Sequence, residues 1–98
     1  MKEVALQLIT YYEEQEKIAK RFVLLRKRNK ISQKRMAKIS DVSYASIRRF
    51  EKTGDISFAS FVKLALALRK YDELDNLFKT EWKYESIEDV IKANHSKY

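Results

Sequence analysis

The sequence predicts an all-α protein of five short helices, and three observations support this. The chain has one glycine and no proline among its 98 residues, which disfavours sheets joined by tight hairpins. This length suffices for one domain with a modest hydrophobic core. Ser32 and Ser43 each precede a run of apolar residues at helical spacing, so the centre of the chain should be a pair of helices.

The central helix pair is expected to begin at Gln33, directly after the capping hydroxyl of Ser32. Its first helix should end near Ser40 and be followed by a tight turn, after which Ser43 caps the second. The second helix should run to about Lys52, with Thr53 and then Gly54 ending it, because glycine adopts the left-handed conformation that side chains resist.

The second helix of the pair has two unlike faces. Ile47 and Phe50 share one side with Val42 and should point into the core. The other side is cationic and has a small residue at its centre, which suits insertion into the major groove of DNA. A solvated charged helix in a small bundle is the simpler alternative. The outer residues are Ser43, Tyr44, Ala45, Arg48, Arg49 and Lys52.

The positive charge of the chain is concentrated around this helix pair. The net charge is +7, yet residues 20–52 contain twelve basic and two acidic residues, whereas the remainder contains nine basic and twelve acidic ones. A local excess on this scale is the electrostatic footprint of a protein that binds a polyanion. We therefore favour the major-groove interpretation of the cationic helix face.

The helix pair and the helix after it resemble the helix-turn-helix of the Cro/phage-repressor-like (XRE) family over residues 18–70. The residues that carry the resemblance are Gln33, Met36, Ala37, Val42, Ser43, Ile47, Phe50 and Glu51. It implies a compact five-helix phage-repressor-like domain that binds double-stranded DNA, as a homodimer on a palindromic operator. Two residues depart from the pattern: Asp41 stands where the turn usually has glycine, and Ala45 where many members carry a polar base-reading side chain.

The resemblance also implies roles for individual residues. Arg26 is expected to form an ion pair with Glu51 that pins the first helix to the recognition helix; two unrelated surface charges are the alternative. Gln33 should bond a phosphate, because a helix N-terminus favours anions. The expected DNA-binding residues are Gln33, Lys34, Ser43, Tyr44, Ala45, Arg48, Arg49 and Lys52.

We expect the helix-turn-helix domain at residues 14–78, between an N-terminal extension (1–13) and a C-terminal tail (79–98) that carries a short helix. Residues 4–9 of the extension fit either a strand followed by a capping box at Thr10 or a continuous helix. The first domain helix should run from about Glu14 to Asn29. Its expected buried residues are Ile18, Phe22, Val23 and Leu25.

The fourth helix should begin after Ser57 and be the most buried of the domain. Its expected inner stripe consists of Phe58, Phe61, Val62, Ala65 and Leu68, widened by Leu64 and Leu66. Asp72 is expected to cap a fifth helix that carries Leu74, Leu77 and Phe78. Apolar residues of the N-terminal extension and of the tail should contact either a second subunit or the domain itself. These residues are Val4, Leu6, Leu8 and Tyr12 in the extension, and Trp82, Tyr84, Ile87 and Ile91 in the tail.

Catalysis is the least supported function. The chain has one histidine, no cysteine and a single glycine, so we expect no catalytic site, metal site or cofactor. The sequence has no run of about 20 apolar residues and no signal-peptide pattern, which predicts a cytoplasmic protein that does not enter membranes.

The segment from Arg48 to Ser57, with the acidic stretch from Asp72 to Phe78, resembles a narrower subgroup of the family. This subgroup consists of the antitoxins that are encoded beside HipA-type kinase toxins, repress their own operon and dock the toxin. The resemblance implies a transcriptional repressor with a HipA-like kinase toxin as its second partner. The alternatives are a protein-interaction module, or a phage- or restriction-type regulator without a toxin.

Overall fold

The computed structural model describes the backbone of residues 2–80 and of Ile91, and the side chains of residues 10–80 and of Ile91. Over this part of the chain it contains five α-helices and no strand, which confirms the all-α class. The helices are α1 (Lys2–Arg28), α2 (Gln33–Ser40), α3 (Tyr44–Thr53), α4 (Phe58–Ala67) and α5 (Tyr71–Asn76).

The core forms where α1 and α2 pack on α3 and where α4 closes on α2. An aromatic cluster lies at its centre: the ring of Phe50 is 5.4 Å from that of Phe22 and 6.1 Å from that of Phe61 between centroids. Tilted and edge-on ring pairs at such distances are favourable beyond the area they bury. The buried apolar residues are Ala19, Phe22, Met36, Val42, Ile47, Phe50 and Leu64.

The helix ends in the centre of the chain lie where the sequence places them. The side chains of Ser32, Ser43 and Ser57 each accept a hydrogen bond from the backbone N–H three residues on, which satisfies an orphan donor of the first helical turn. Asp41 ends α2 with φ 61°, and Gly54 ends α3 with φ 81°. Both residues are left-handed, so Asp41 makes the turn that glycine usually makes in the family that the sequence resembles.

The first helix is longer than predicted, because α1 starts at Lys2 and continues through Thr10 without a break. The helical alternative for residues 4–9 is therefore confirmed, and the capping box at Thr10 does not form. The prediction that Ile18 is buried is wrong: Ile18 is exposed, and its neighbour Ala19 is buried instead.

The predicted burial of α4 is also wrong in part. Leu64 is its one fully buried residue, and Phe58 at its start is 72% exposed. The helix is apolar nearly all round but packs mainly on α2 and α5, with Phe61 touching Phe50 of α3, so part of its surface stays open.

The fifth helix is shorter than predicted and starts two residues earlier, at Tyr71. Its N-cap is Lys70, without a side-chain bond, so Asp72 lies in the first turn and does not cap the helix. Leu77 and Phe78 follow the end of α5, and Phe78 is 91% exposed. The predicted tail contacts of Trp82, Tyr84 and Ile87 lie outside the described residues, as do the side chains of Val4, Leu6 and Leu8.

Candidate nucleic-acid interface

The turn between α2 and α3 sets the angle at which α3 leaves the domain. The backbone N–H of Asp41 donates to the carbonyl of Ala37, and the N–H of Val42 donates to the hydroxyl of Ser40. Both bonds join residues that are close together in the sequence. Val42 is buried directly after the turn, which anchors the start of α3 to the core.

The outer face of α3 is exposed and cationic. Ile47 and Phe50 are buried on the inner side, whereas the residues that point outward are Tyr44, Ala45, Arg48, Arg49 and Lys52. None of these five residues is acidic, and Ala45 leaves room for close approach of another surface. The arrangement matches the size and charge that a helix needs to enter the major groove.

Tyr44 joins α2 to α3 on this face. The ammonium nitrogen of Lys34 lies 5.9 Å and the guanidinium carbon of Arg48 lies 5.6 Å from the centre of its ring. Cations within about 6 Å of an aromatic centre are attracted to it. Tyr44 is predicted as a base contact, and its spacing of four residues from Arg48 also indicates this stacking.

Glu51 ties three parts of the domain together behind the exposed face. One of its oxygens accepts from Arg26 Nη2 at 2.8 Å and from Gln33 Nε2 at 3.0 Å, and the other accepts from Arg26 Nε at 2.7 Å. Arg26 Nη1 also donates to the carbonyl of Ile31 at 3.0 Å. The expected pair of Arg26 and Glu51 is thus present, with both side chains 9% exposed.

Gln33 lies at the first position of α2, but its amide already has a partner inside the protein. The bond to Glu51 uses one of the two N–H donors that a primary amide carries. The second N–H can still donate to a phosphate, and this contact stays a prediction. Gln33 is half-buried, so its side chain is held in place before any DNA arrives.

Ser43 and Arg49 also have partners within the domain. The hydroxyl of Ser43 accepts from the N–H of Ser46 at 3.1 Å and donates to the hydroxyl of Ser46 at 2.7 Å. Arg49 Nη2 lies 2.7 Å from a carboxylate oxygen of Asp55. The sequence does not predict the contact with Asp55, because no periodic pattern connects two residues that lie on either side of a left-handed glycine.

Two other kinds of site find no support in the described part of the chain. It holds no group of three or more histidine, cysteine, aspartate or glutamate side chains that could bind a metal ion. None of its helices is both long enough and apolar enough to span a bilayer.

Comparison with known families agrees with the geometry. The helix-turn-helix family model matches residues 24–74, just over half of the chain, and the match includes α2, α3 and α4 entirely. No curated protein and no solved structure matches the chain. The protein therefore belongs to the helix-turn-helix family of Cro/phage-repressor-like DNA-binding transcription regulators.

Proposed function

We propose that this regulator is a sequence-specific repressor that inserts α3 into the major groove of a double-stranded operator. The outer face of α3 carries the proposal, because it presents Arg48, Arg49 and Lys52 around Ala45, whereas Glu51, the acid within the helix, lies on the inner side. The family match supports DNA binding in general. Beyond this, we propose that the protein recognises one particular operator and that it acts on the nucleoid in the cytoplasm.

The proposed contacts divide into positioning and base recognition. Phosphates would be bound by cations along the rim and by Gln33 at the start of α2, where the helix dipole favours an anion. Base edges would be met by Ser43, Tyr44, Ala45 and Arg49, with Arg49 suited to guanine and Ala45 to a thymine methyl. The rim cations are Lys27, Arg28, Lys34, Arg48 and Lys52, all of which are exposed.

The rigid mounting of α3 supports this division. Arg26 and Gln33 link α1 and the start of α2 to Glu51 on the inner side of α3 through three hydrogen bonds of 2.7–3.0 Å. Arg26 makes a fourth bond, to the carbonyl of Ile31. A recognition helix fixed in this way has fewer orientations to lose when it binds, and ordering at an interface weakens affinity.

Selection from a random duplex library tests the proposal directly. The protein should enrich one sequence, and fluorescence anisotropy should then show at least about a thousandfold tighter binding to it than to scrambled duplex, as specific DNA-binding proteins do. Single-stranded DNA and RNA of the same sequence serve as controls. No enrichment, or equal binding to all of these nucleic acids, would favour a protein-interaction module instead.

We further propose that the repressor binds as a two-fold dimer. One α3 can read only a few base pairs, so two half-sites one helical turn apart, about 34–36 Å, would be needed for specificity. The contact would use the N-terminal extension or the C-terminal tail. Tyr12 of the extension is exposed, which is compatible with such a role. The candidate residues are Val4, Leu6, Leu8, Tyr12, Trp82, Tyr84, Ile87 and Ile91.

An antitoxin role is the narrower form of the proposal. The resemblance of residues 48–57 and 72–78 to antitoxins of HipA-type kinases supports it, as does the acidic balance from Tyr71 onward, with seven acidic and four basic residues. A kinase-like toxin would dock on this acidic part, away from DNA. Co-expression with a HipA-type kinase encoded beside the gene should yield a complex that binds the operator. A phage- or restriction-type regulator would form no such complex.

A further inference from the structure

The end of α3 carries a closed set of contacts between Arg49, Thr53 and Asp55. The hydroxyl of Thr53 donates to the carbonyl of Arg49 at 2.8 Å, and the N–H of Asp55 donates to the hydroxyl of Thr53 at 3.1 Å. The guanidinium of Arg49 then meets the carboxylate of Asp55 at 2.7 Å. Backbone and side chain of Arg49 are thus both connected to the short segment that follows the helix.

The backbone of Asp55 is held on both sides, although its side chain is exposed. Gly54 before it has φ 81°, and its Cα lies so close to α1 that an added Cβ would be 2.9 Å from the carbonyl carbon of Gln15. Ile56 after it packs against the core. The carboxylate therefore projects from a fixed backbone position. It is close enough to α1 to help raise the pKa of Tyr11, although the hydrogen bond with Tyr12 and desolvation contribute more.

Stability is a poor explanation for the contact between Arg49 and Asp55. The two side chains are 70% and 57% exposed, and ion pairs that are so well solvated contribute little to folding. Orientation is a better one. Arginine has five N–H donors in a rigid fork, so a bond from Nη2 to Asp55 leaves donors for the two acceptors on the major-groove edge of guanine.

We propose that Asp55 is a positioning residue that determines specificity by holding the Arg49 guanidinium towards a base edge and away from the nearest phosphate. This inference rests on the proposed function, in which Arg49 reads a base. Asp55 also places a negative charge beside the DNA backbone, which weakens binding to every sequence. Asp55 thus lowers the affinity for DNA of any sequence but increases the discrimination between sequences.

The test compares affinities for the selected operator and for scrambled duplex among the wild type, Asp55→Asn, Arg49→Ala and the double variant. Asp55→Asn should bind scrambled duplex more tightly and lower the ratio of the two affinities at least about fivefold. In the Arg49→Ala background the same change should alter the ratio less than about twofold, because residues that act through one another are not additive.

Asp41→Asn is the matched control. Asp41 is also an exposed acid in a left-handed turn beside α3, and its nearest cation is Lys63 at 3.9 Å, outside the outer face of α3. Asparagine tolerates this conformation, so the variant should fold. It removes the same charge and should tighten both affinities equally, with an unchanged ratio.

Repeating the library selection with Asp55→Asn provides a readout that a general charge effect would not change. The variant should lose preference at one base pair of each half-site, and Arg49→Ala should lose it at the same base pair. Three results would overturn the role of Asp55. They are an unchanged ratio of operator to scrambled-duplex affinity, an equal decrease of this ratio in Asp41→Asn, and a loss of base preference spread over all positions. Failure of the wild type to enrich any sequence would refute the proposed function itself.

Discussion

Arg26 and Glu51 are 25 positions apart in the sequence and form a two-pronged ion pair, in which both side chains are only 9% exposed. Arg26 comes from the last turn of α1, and Glu51 from the inner side of α3. Gln33 completes the set through the same carboxylate oxygen. The orientation of the outer face of α3 therefore depends on a contact that lies behind it.

Removal of one partner of this pair should destabilise the domain strongly. Arg26→Met or Glu51→Leu leaves a nearly buried charge without its partner, at a cost of about 3–5 kcal/mol in the free energy of unfolding. The double variant should lose less than the sum of the single changes. Thermal and urea unfolding would measure this, with Lys17→Ala in the exposed pair with Glu14 as a control that should change stability by at most about 1 kcal/mol. Small, additive effects would contradict the structural role.

Gly54→Ala should also destabilise the fold, for a different reason. The left-handed backbone and the approach of the new Cβ to within 2.9 Å of the Gln15 backbone both oppose the side chain. We expect a loss above about 2 kcal/mol, since strain at such positions costs about 1–3 kcal/mol before any clash. Asp41→Gly makes the reverse change in the other left-handed turn and should shift stability by less than about 1 kcal/mol. Equal melting temperatures for Gly54→Ala and wild type would contradict the close approach of α1.

Binding to duplex DNA should weaken steeply as salt increases. Each phosphate neutralised by cations such as Lys27, Arg28, Lys34 and Lys52 releases counterions and contributes about −0.9 to the slope of log affinity against log salt. Lys34→Ala should make the slope less negative by about one. Lys79 lies beyond α5 and serves as the control, so Lys79→Ala should leave the slope unchanged. Anisotropy titrations at several salt concentrations provide the measurement, and a flat dependence would exclude the proposed interface.

Arg49→Ala should distinguish base recognition from phosphate binding. Loss of a bidentate guanine contact costs about 1–3 kcal/mol on the operator and relaxes specificity at one position. Binding to scrambled duplex should change much less. Equal loss on both duplexes would instead make Arg49 a phosphate contact.

The proposed dimer can be tested by truncation. Variants lacking residues 1–10 and 80–98 should be compared with the full chain by light scattering and operator binding. We expect one of them to be monomeric with weakened affinity, because both half-sites must be occupied for tight binding. If both remain dimeric with unchanged affinity, the subunits pair through the helical core, where Phe58 and Phe78 already expose apolar surface.

The sequence by itself determined the helix-turn-helix and its charge. Ser32, Ser43 and Gly54 mark helix ends through contacts that span only a few residues, so local rules suffice to place them. The separation of Ile47 and Phe50 from the cationic side of α3 follows from helical periodicity in the same way. The family pattern added the pairing of Arg26 with Glu51, which periodicity alone does not predict.

Only the tertiary structure decided which apolar residues are buried and which partners the exposed charges find. Ala19 is buried and Ile18 is not, because the packing of α1 on α3 decides which side of α1 faces the core. Phe58 stays exposed because the neighbours of α4 cover only part of its surface. Arg49 meets Asp55 because the chain reverses at Gly54 against Gln15. In each case the outcome depends on a surface contributed by a distant part of the chain, and such contacts leave no periodic trace in the sequence.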